Sequence, residues 1–291
     1  MNETVLAATD LSQASDLAVS QAAALAKQWG CGLRLLHVLD DSAWTAARNV
    51  FTPAAWGAAE PVIVAARRRL SELAEDIERR QGIAVQPEMR LGKPAEQIAA
   101  FTRELDARLL ALGRHGENAA PFLGSTALRV AQGVNAPLLT VCDPVPADYS
   151  SILVAVDFSD NAHRATSLAA AWFPDAALVL LHAYSLPLES RMRLAEPSVD
   201  TIDRYREQER EAAERRMDEL RAGLPSPVTA RMRTLLRYGH PDVAILDEAR
   251  QMKADLIVVG RHSGSALGER LLGSVTRNVL DHASTSVLLV P

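Results

Sequence analysis

The chain has 291 residues, 48% hydrophobic and 23% charged, with a formal net charge of -5 at pH 7. Ordinary domains run to roughly 100–200 residues, so two domains are expected, and a composition this apolar excludes disorder. Basic and acidic residues number 14 and 16 over 1–147, and 17 and 20 over 148–291; without a concentrated basic face, dedicated nucleic-acid binding is excluded.

In chain order, the first half predicts strands at Val5–Ala8, Leu33–Val38, Val85–Leu91, Leu109–Leu112 and Leu138–Val141. The second half predicts them at Ile152–Val156, Leu178–His182, Arg231–Leu236, Leu256–Val259 and Val287–Val290. Most are continuous apolar runs rather than alternating ones, as expected of parallel strands covered by helices on both faces. Ser12 and Ser159 are placed to cap the first helix of each half, and Pro94 and Pro241 suit a first helical turn. Segments 40–66 and 184–201 read as irregular loops leading into the next helix. The polar stretch IDRYREQEREAAERRMDEL reads as a surface helix with Ile202, Tyr205, Ala212, Met217 and Leu220 near one face and a Glu211/Arg215 pair on another. Pro144 and Pro146 mark a short linker, giving domains at 1–145 and 149–291 that pack as an intrachain pseudo-dimer through their last strands. A further homodimer is compatible with this arrangement.

MNETVLAATD has no basic segment followed by a long apolar one, and no run of about 18 apolar residues occurs. A cytoplasmic protein without membrane contact is expected. Cys31 and Cys142 lack metal or redox spacing and read as idle thiols.

The two halves are copies of each other. VLAATDLSQASDLAVSQAAALA returns as ILVAVDFSDNAHRATSLAAAWF, aligning Asp10 with Asp157 and Ser12 with Ser159 at an offset of 147. LGKPAEQIA answers YGHPDVAIL and LLALGRH answers LIVVGRH at the same offset, so Gly113 meets Gly260 and His115 meets His262. His37 meets His182 at an offset of 145.

Open parallel sheets bind ligands beyond the carboxyl ends of their strands, and the repeated motifs fall there. In the second copy VVGRHSGSALGERLLGSVTRNVL runs from a strand end through a glycine-bearing loop to Gly273, Ser274, Val275 and Thr276 at a helix start. Glycine allows close backbone approach, and helix-start amides favour an anion, with the Ser274 and Thr276 hydroxyls as further donors. Arg114 and Arg261 are able to pair with phosphate bidentately, but in this Arg-rich chain they read first as surface arginines. Asp10 and Asp157 suit either ligand contact or turn stabilisation. His115 and His262 read as loop histidines, His37 and His182 as histidines satisfied near the core. There is no GxxxxGK[ST], no GxGxxG after the first strand and no GxSxG, which leaves P-loop, dinucleotide-binding and serine-hydrolase readings without support.

These motifs resemble the universal stress protein family, whose ATP-binding members carry a glycine, two residues, a glycine, nine residues, then glycine and Ser or Thr. The resemblance covers the chain twice. It implies an α/β fold, two open five-stranded parallel sheets of the Rossmann-like, adenine-nucleotide-alpha-hydrolase type, with ATP or ADP as ligand. Carried over, Asp157 and Ala183 flank the adenine, Gly260 the ribose, and Ser263, Gly264, Gly273, Ser274, Val275 and Thr276 the phosphates. Asp10, Val38, Gly113, Gly116, Gly124, Ser125 and Thr126 are the counterparts in the first copy. The second copy keeps the thirteen-position span from Gly260 to Gly273 but has Ser263 at the second glycine. The first copy keeps both glycines but separates Gly116 from Gly124 by only seven residues, with Pro121 among them. The second copy is therefore the favoured site. A regulatory adenine-nucleotide module, a nucleotide-independent scaffold with decayed sites, and a slow ATPase or adenylating enzyme all stand as readings. Neither the protein partner nor the role of Mg2+ is specified.

Overall fold

A computed structural model describes residues 4–40, 54–114, 123–142, 148–186, 199–261 and 272–291. The chain divides into two compact units, Met1–Val145 and Pro146–Pro291.

In the first unit, β1 (Thr4–Thr9), β2 (Gly32–Leu39), β3 (Val85–Leu91), β4 (Leu109–Gly113) and β5 (Leu138–Val141) alternate with helices α1 (Gln13–Gln28), α2 (Ala54–Gln81), α3 (Pro94–Glu104) and α4 (Ser125–Gly133). All pairings are parallel and give the order β3-β2-β1-β4-β5. β1 lies centrally, with Ala7 opposite Leu35 of β2 and Ala111 of β4. The order reverses between β1 and β4, because the first two crossovers step one way and the later ones the other. With right-handed crossovers this puts α1 and α2 on one face and α3 and α4 on the opposite face, matching the helix pairs that touch. Sandwiched between them, β1 is buried from Val5 through Thr9. A continuous apolar run is what such a strand requires.

The second unit repeats the plan. β6 (Ser151–Ala155), β7 (Ala177–Tyr184), β8 (Met232–Tyr238), β9 (Leu256–Gly260) and β10 (Ser286–Val290) alternate with α5 (Asp160–Trp172), α6 (Val199–Ala222), the short α7 (Ser226–Thr229), α8 (Pro241–Gln251) and α9 (Ser274–His282). The order is β8-β7-β6-β9-β10, with Val154 of β6 between Leu180 and Val258. Proline occupies the first position of α3 and α8, where its missing N–H costs nothing. Pro87 sits in β3, which has a partner only in β2 within its own unit. There the sheet loses little by it.

Three expectations need correction. The segments expected to be loops up to residues 66 and 201 are already helical from Ala54 and Val199; their remainders lie outside the described residues. In α6 the buried stripe is Ala213, Met217 and Leu220, while Tyr205 is 48% exposed. The seven-residue spacing from Ala213 to Leu220, with Met217 between, keeps one face inward and turns Tyr205 away from it. The third correction concerns two arginines at the site.

Candidate functional site

Each strand β1 and β6 ends in a tight turn built by one aspartate. Asp10 Oδ1 accepts from the Ser12 backbone N–H at 3.0 Å and from its hydroxyl at 2.5 Å. Ser12 Oγ in turn accepts from Ser15 N at 3.3 Å and caps α1. Asp157, Ser159 and Ala162 repeat the arrangement at 3.0, 2.5 and 3.3 Å. The residue between aspartate and serine, Leu11 or Phe158, has a positive φ of 64° or 63°. Neither is glycine, so the aspartate and cap bonds hold a conformation that L-residues disfavour. The turn role foreseen for both aspartates is present, and both also line a cleft.

At β4 and β9 the strand end is tied to the helix start. Arg114 N–H donates to the Val141 carbonyl at 3.0 Å, and Gly124 N–H donates to the Arg114 carbonyl at 2.9 Å. Arg261 to Val290 and Gly273 to Arg261 repeat these bonds at 2.8 and 3.2 Å. Neither α4 nor α9 has a side-chain cap, so their leading amides open at the strand ends. Arg114 and Arg261 extend the ladder beyond their strands. They are buried, at 8% and 4% exposure, which corrects the surface reading. Burial holds the Arg261 guanidinium below its ordinary pKa, and Arg114 Nη1 reaches the Cys142 sulfur at 3.7 Å.

These turns enclose a cleft in each unit, at the switch point between β1 and β4 or between β6 and β9. The first is about 590 Å³ and gathers Asp10, Val38, Gly113, Gly124, Ser125 and Thr126. Thr9, Asp40 and Arg114 also line it. Asp40 was legible in principle, since it lies two positions beyond Val38 and extended chain repeats its direction every two residues. The second is about 210 Å³ and gathers Asp157, Ala183, Gly260, Gly273, Val275 and Thr276. Ser274 is exposed and is not among its lining residues. Gly116, Ser263 and Gly264 lie outside the described residues, as do His115, His262 and Pro121.

One expected donor is already engaged. Thr276 Oγ1 donates to the Gly260 carbonyl at 2.8 Å, so its single proton is spent within the protein. The two strand-end histidines are satisfied as expected, with His37 Nδ1 2.9 Å from the Thr9 carbonyl and His182 Nδ1 2.8 Å from the Val156 carbonyl. Only His182 also lines a cleft. Among the described residues, no group of three or more His, Cys, Asp or Glu is arranged to hold a metal, and no helix is long and apolar enough to cross a membrane.

The model of the universal stress protein family matches residues 1–141 and again 148–291. The chain belongs to the universal stress protein family. It is a tandem member, with one family domain in each half. A universal stress protein of Thermus aquaticus is 38% identical over 146 residues, covering 49% of this chain and 98% of that protein. One from Mycolicibacterium smegmatis is 26% identical over 299 aligned positions, covering 98% of this chain and 96% of its own. The crystal structure of a universal stress protein from Archaeoglobus fulgidus superposes with a TM-score of 0.69 at 21% identity, covering 100% of this chain and 98% of that one. That level of identity speaks for the tandem α/β fold. The clefts of this universal stress protein must be read from its own residues.

Proposed function

We propose that the chain is an adenine-nucleotide-binding module, with the first domain's cleft taking ATP or ADP and occupancy rather than turnover as its working state. The observation that carries this is the cleft of about 590 Å³ at the switch point. Its size falls within the roughly 300–1,000 Å³ of small-molecule sites. Phosphates would meet the uncapped start of α4, where backbone amides and the helix dipole favour an anion, together with the Thr126 hydroxyl. The base would lie toward Asp10 and Val38. The second cleft, favoured by its loop spacing, offers about 210 Å³. Volume therefore moves the weight of the proposal to the first domain. Occupancy of this kind suits a regulatory role in stress, in which the liganded and empty forms differ in what they bind.

Calorimetry of the full chain with ATP, ADP and AMP tests the reading. Binding is expected with Thr126→Ala several-fold weaker, by the loss of about one hydrogen bond. Absence of binding heat for all three, and of copurifying nucleotide, would leave the scaffold reading in its place. Phosphate release should stay at background.

A further inference from the structure

β3 and β8 are matched strands, and each ends the sheet of its unit. At an offset of 147, Gln86, Pro87, Glu88 and Arg90 of β3 correspond to Arg233, Thr234, Leu235 and Arg237 of β8. Among the described residues of its unit, β3 pairs only with β2 and β8 only with β7. The bonds at the strand ends show which backbone groups point away from the sheet. The Leu178 N–H donates to the Arg231 carbonyl and the Gly239 N–H to the Tyr184 carbonyl, so the odd-numbered residues of β8 turn their amides and carbonyls to β7. The alternate residues, Met232, Thr234, Leu236 and Tyr238, turn theirs outward. Bonds from Leu33 to Ala84 and from Gly92 to Leu39 set the same rule in β3, where Pro87 holds an outward position.

The first of these edges is closed. Pro87 has no N–H to offer a further strand. Next to it, Glu88 lies 3.7 Å from both Arg34 and Arg90, and Arg90 pairs with Glu104 at 2.6 Å, so the edge charges are answered within the unit. The second edge lacks both devices. Thr234 keeps its outward N–H, and Leu235 stands where the first unit has the glutamate. Arg233 is exposed and forms no ion pair among the described residues. The outward Leu236 carbonyl takes a contact from Arg237 Nη1 at 3.5 Å, at the outer limit of a hydrogen bond.

We propose that the β8 edge is an interface for a second copy of this chain, the two β8 strands pairing antiparallel about a two-fold axis at Leu235. The pairing is independent of what the clefts hold. In this register Thr234 exchanges backbone bonds with Leu236 of the second copy, and Met232 with Tyr238. Leu235 meets its own copy, and Arg233 falls opposite Arg237. Two arginines would repel, but Arg237 is already bound to Glu248 of α8, whose Oε2 takes its Nε at 3.0 Å and its Nη2 at 2.7 Å. Glu248 Oε1 is left to accept from the incoming Arg233. Each copy's uncompensated arginine therefore meets the other's carboxylate. Glu248 is 8% exposed, and a charge-assisted bond to it is screened less than one at an open surface. The first unit's match for Glu248 is Phe101, which has no oxygen to offer, so complementarity belongs to the second edge.

The experiment is sedimentation of the full chain across a micromolar range, together with disulfide trapping. The native chain should be a dimer. Thr234→Pro, which copies the first unit's edge, and Leu235→Glu, which sets two carboxylates face to face, should each weaken association by about tenfold or more. Arg233→Ala should weaken it several-fold. Leu235 and its copy form a non-hydrogen-bonded pair with Cα atoms roughly 4.5 Å apart, within disulfide reach. Leu235→Cys should therefore cross-link on mild oxidation, whereas the native chain and Leu236→Cys, opposite Thr234, should not. A native chain that is monomeric in that range overturns the proposal. A dimer that any of the three substitutions leaves unchanged overturns it as well, since the contact then lies elsewhere on the chain. So does cross-linking through Leu236→Cys in place of Leu235→Cys. Should Thr234→Pro not fold, Leu235→Glu, Arg233→Ala and the two cysteine variants decide.

Discussion

The Thr276 hydroxyl donates to the Gly260 carbonyl at 2.8 Å, joining the start of α9 to the end of β9. The matching position in the first domain is Ala127, which has no hydroxyl. A bond present in one copy and absent in the other separates two domains that otherwise share a register.

Removing that hydroxyl is therefore predicted to act on stability in the second domain alone. Thr276→Ala should lower the unfolding free energy by about 1 kcal/mol, whereas Thr276→Ser should recover most of it. Urea denaturation followed by a probe specific to each domain checks this; equal loss in both variants would mean the methyl group, not the hydrogen bond, matters.

The strand-end turns make a paired prediction. Ser12→Ala and Ser159→Ala each lose a helix cap and an aspartate contact, and each should cost about 1 kcal/mol. Asp10→Asn and Asp157→Asn keep an oxygen for the serine N–H and should cost less than the matching alanine variants. If Asp10→Asn nonetheless abolishes nucleotide binding at unchanged stability, the carboxylate serves the ligand as well as the turn.

Gly260 is confined by its neighbour. A Cβ there would lie 3.1 Å from Asn161 Cβ on α5, tighter than side chains ordinarily tolerate. Gly260→Ala should destabilise the second domain by roughly 1–3 kcal/mol, as overpacking does. Adding Asn161→Gly should recover part of that loss, and a double-mutant cycle showing no coupling between the two sites would contradict the contact.

His182 gives a pH dependence whose sign follows from linkage. Its folded pKa is depressed, first by burial, while the unfolded chain titrates near the ordinary 6.5. As pH falls below that value the unfolded state takes up the proton first, so the folded state loses stability until pH passes the folded pKa. The native chain should lose ground relative to His182→Asn between about pH 7 and pH 5. Thermal unfolding of both proteins across that range measures it, and parallel curves would refute it.

Much of the architecture was legible because it depends on local pattern. Continuous apolar runs bounded by serine caps and helix-start prolines place most of the described strands to within about two residues, since a strand buried on both faces has little choice of composition, whereas the mixed, partly exposed β3 and β8 do not follow that rule. The helix at Ala54–Gln81 was less legible at its start, where AAWGAAEPV carries a glycine and a proline that read as loop. The surface reading of Arg114 and Arg261 failed for a different reason. An arginine's burial depends on the strand beside it, and only the Val141 and Val290 carbonyls show that each still belongs to the ladder.

The sequence alone determined that the fold is duplicated, where each copy places its strand-end motifs, and that Asp10 and Asp157 occupy one position twice. Repetition and periodicity are properties of the chain itself. Only the tertiary structure decided that the clefts are unequal, at about 590 and 210 Å³, that the Thr276 proton is already used, and that His182 is among the residues lining its cleft while His37 is not. Volume, hydrogen-bond satisfaction and the lining of a cleft come from several strands and helices meeting at one point, and no window of sequence contains that meeting.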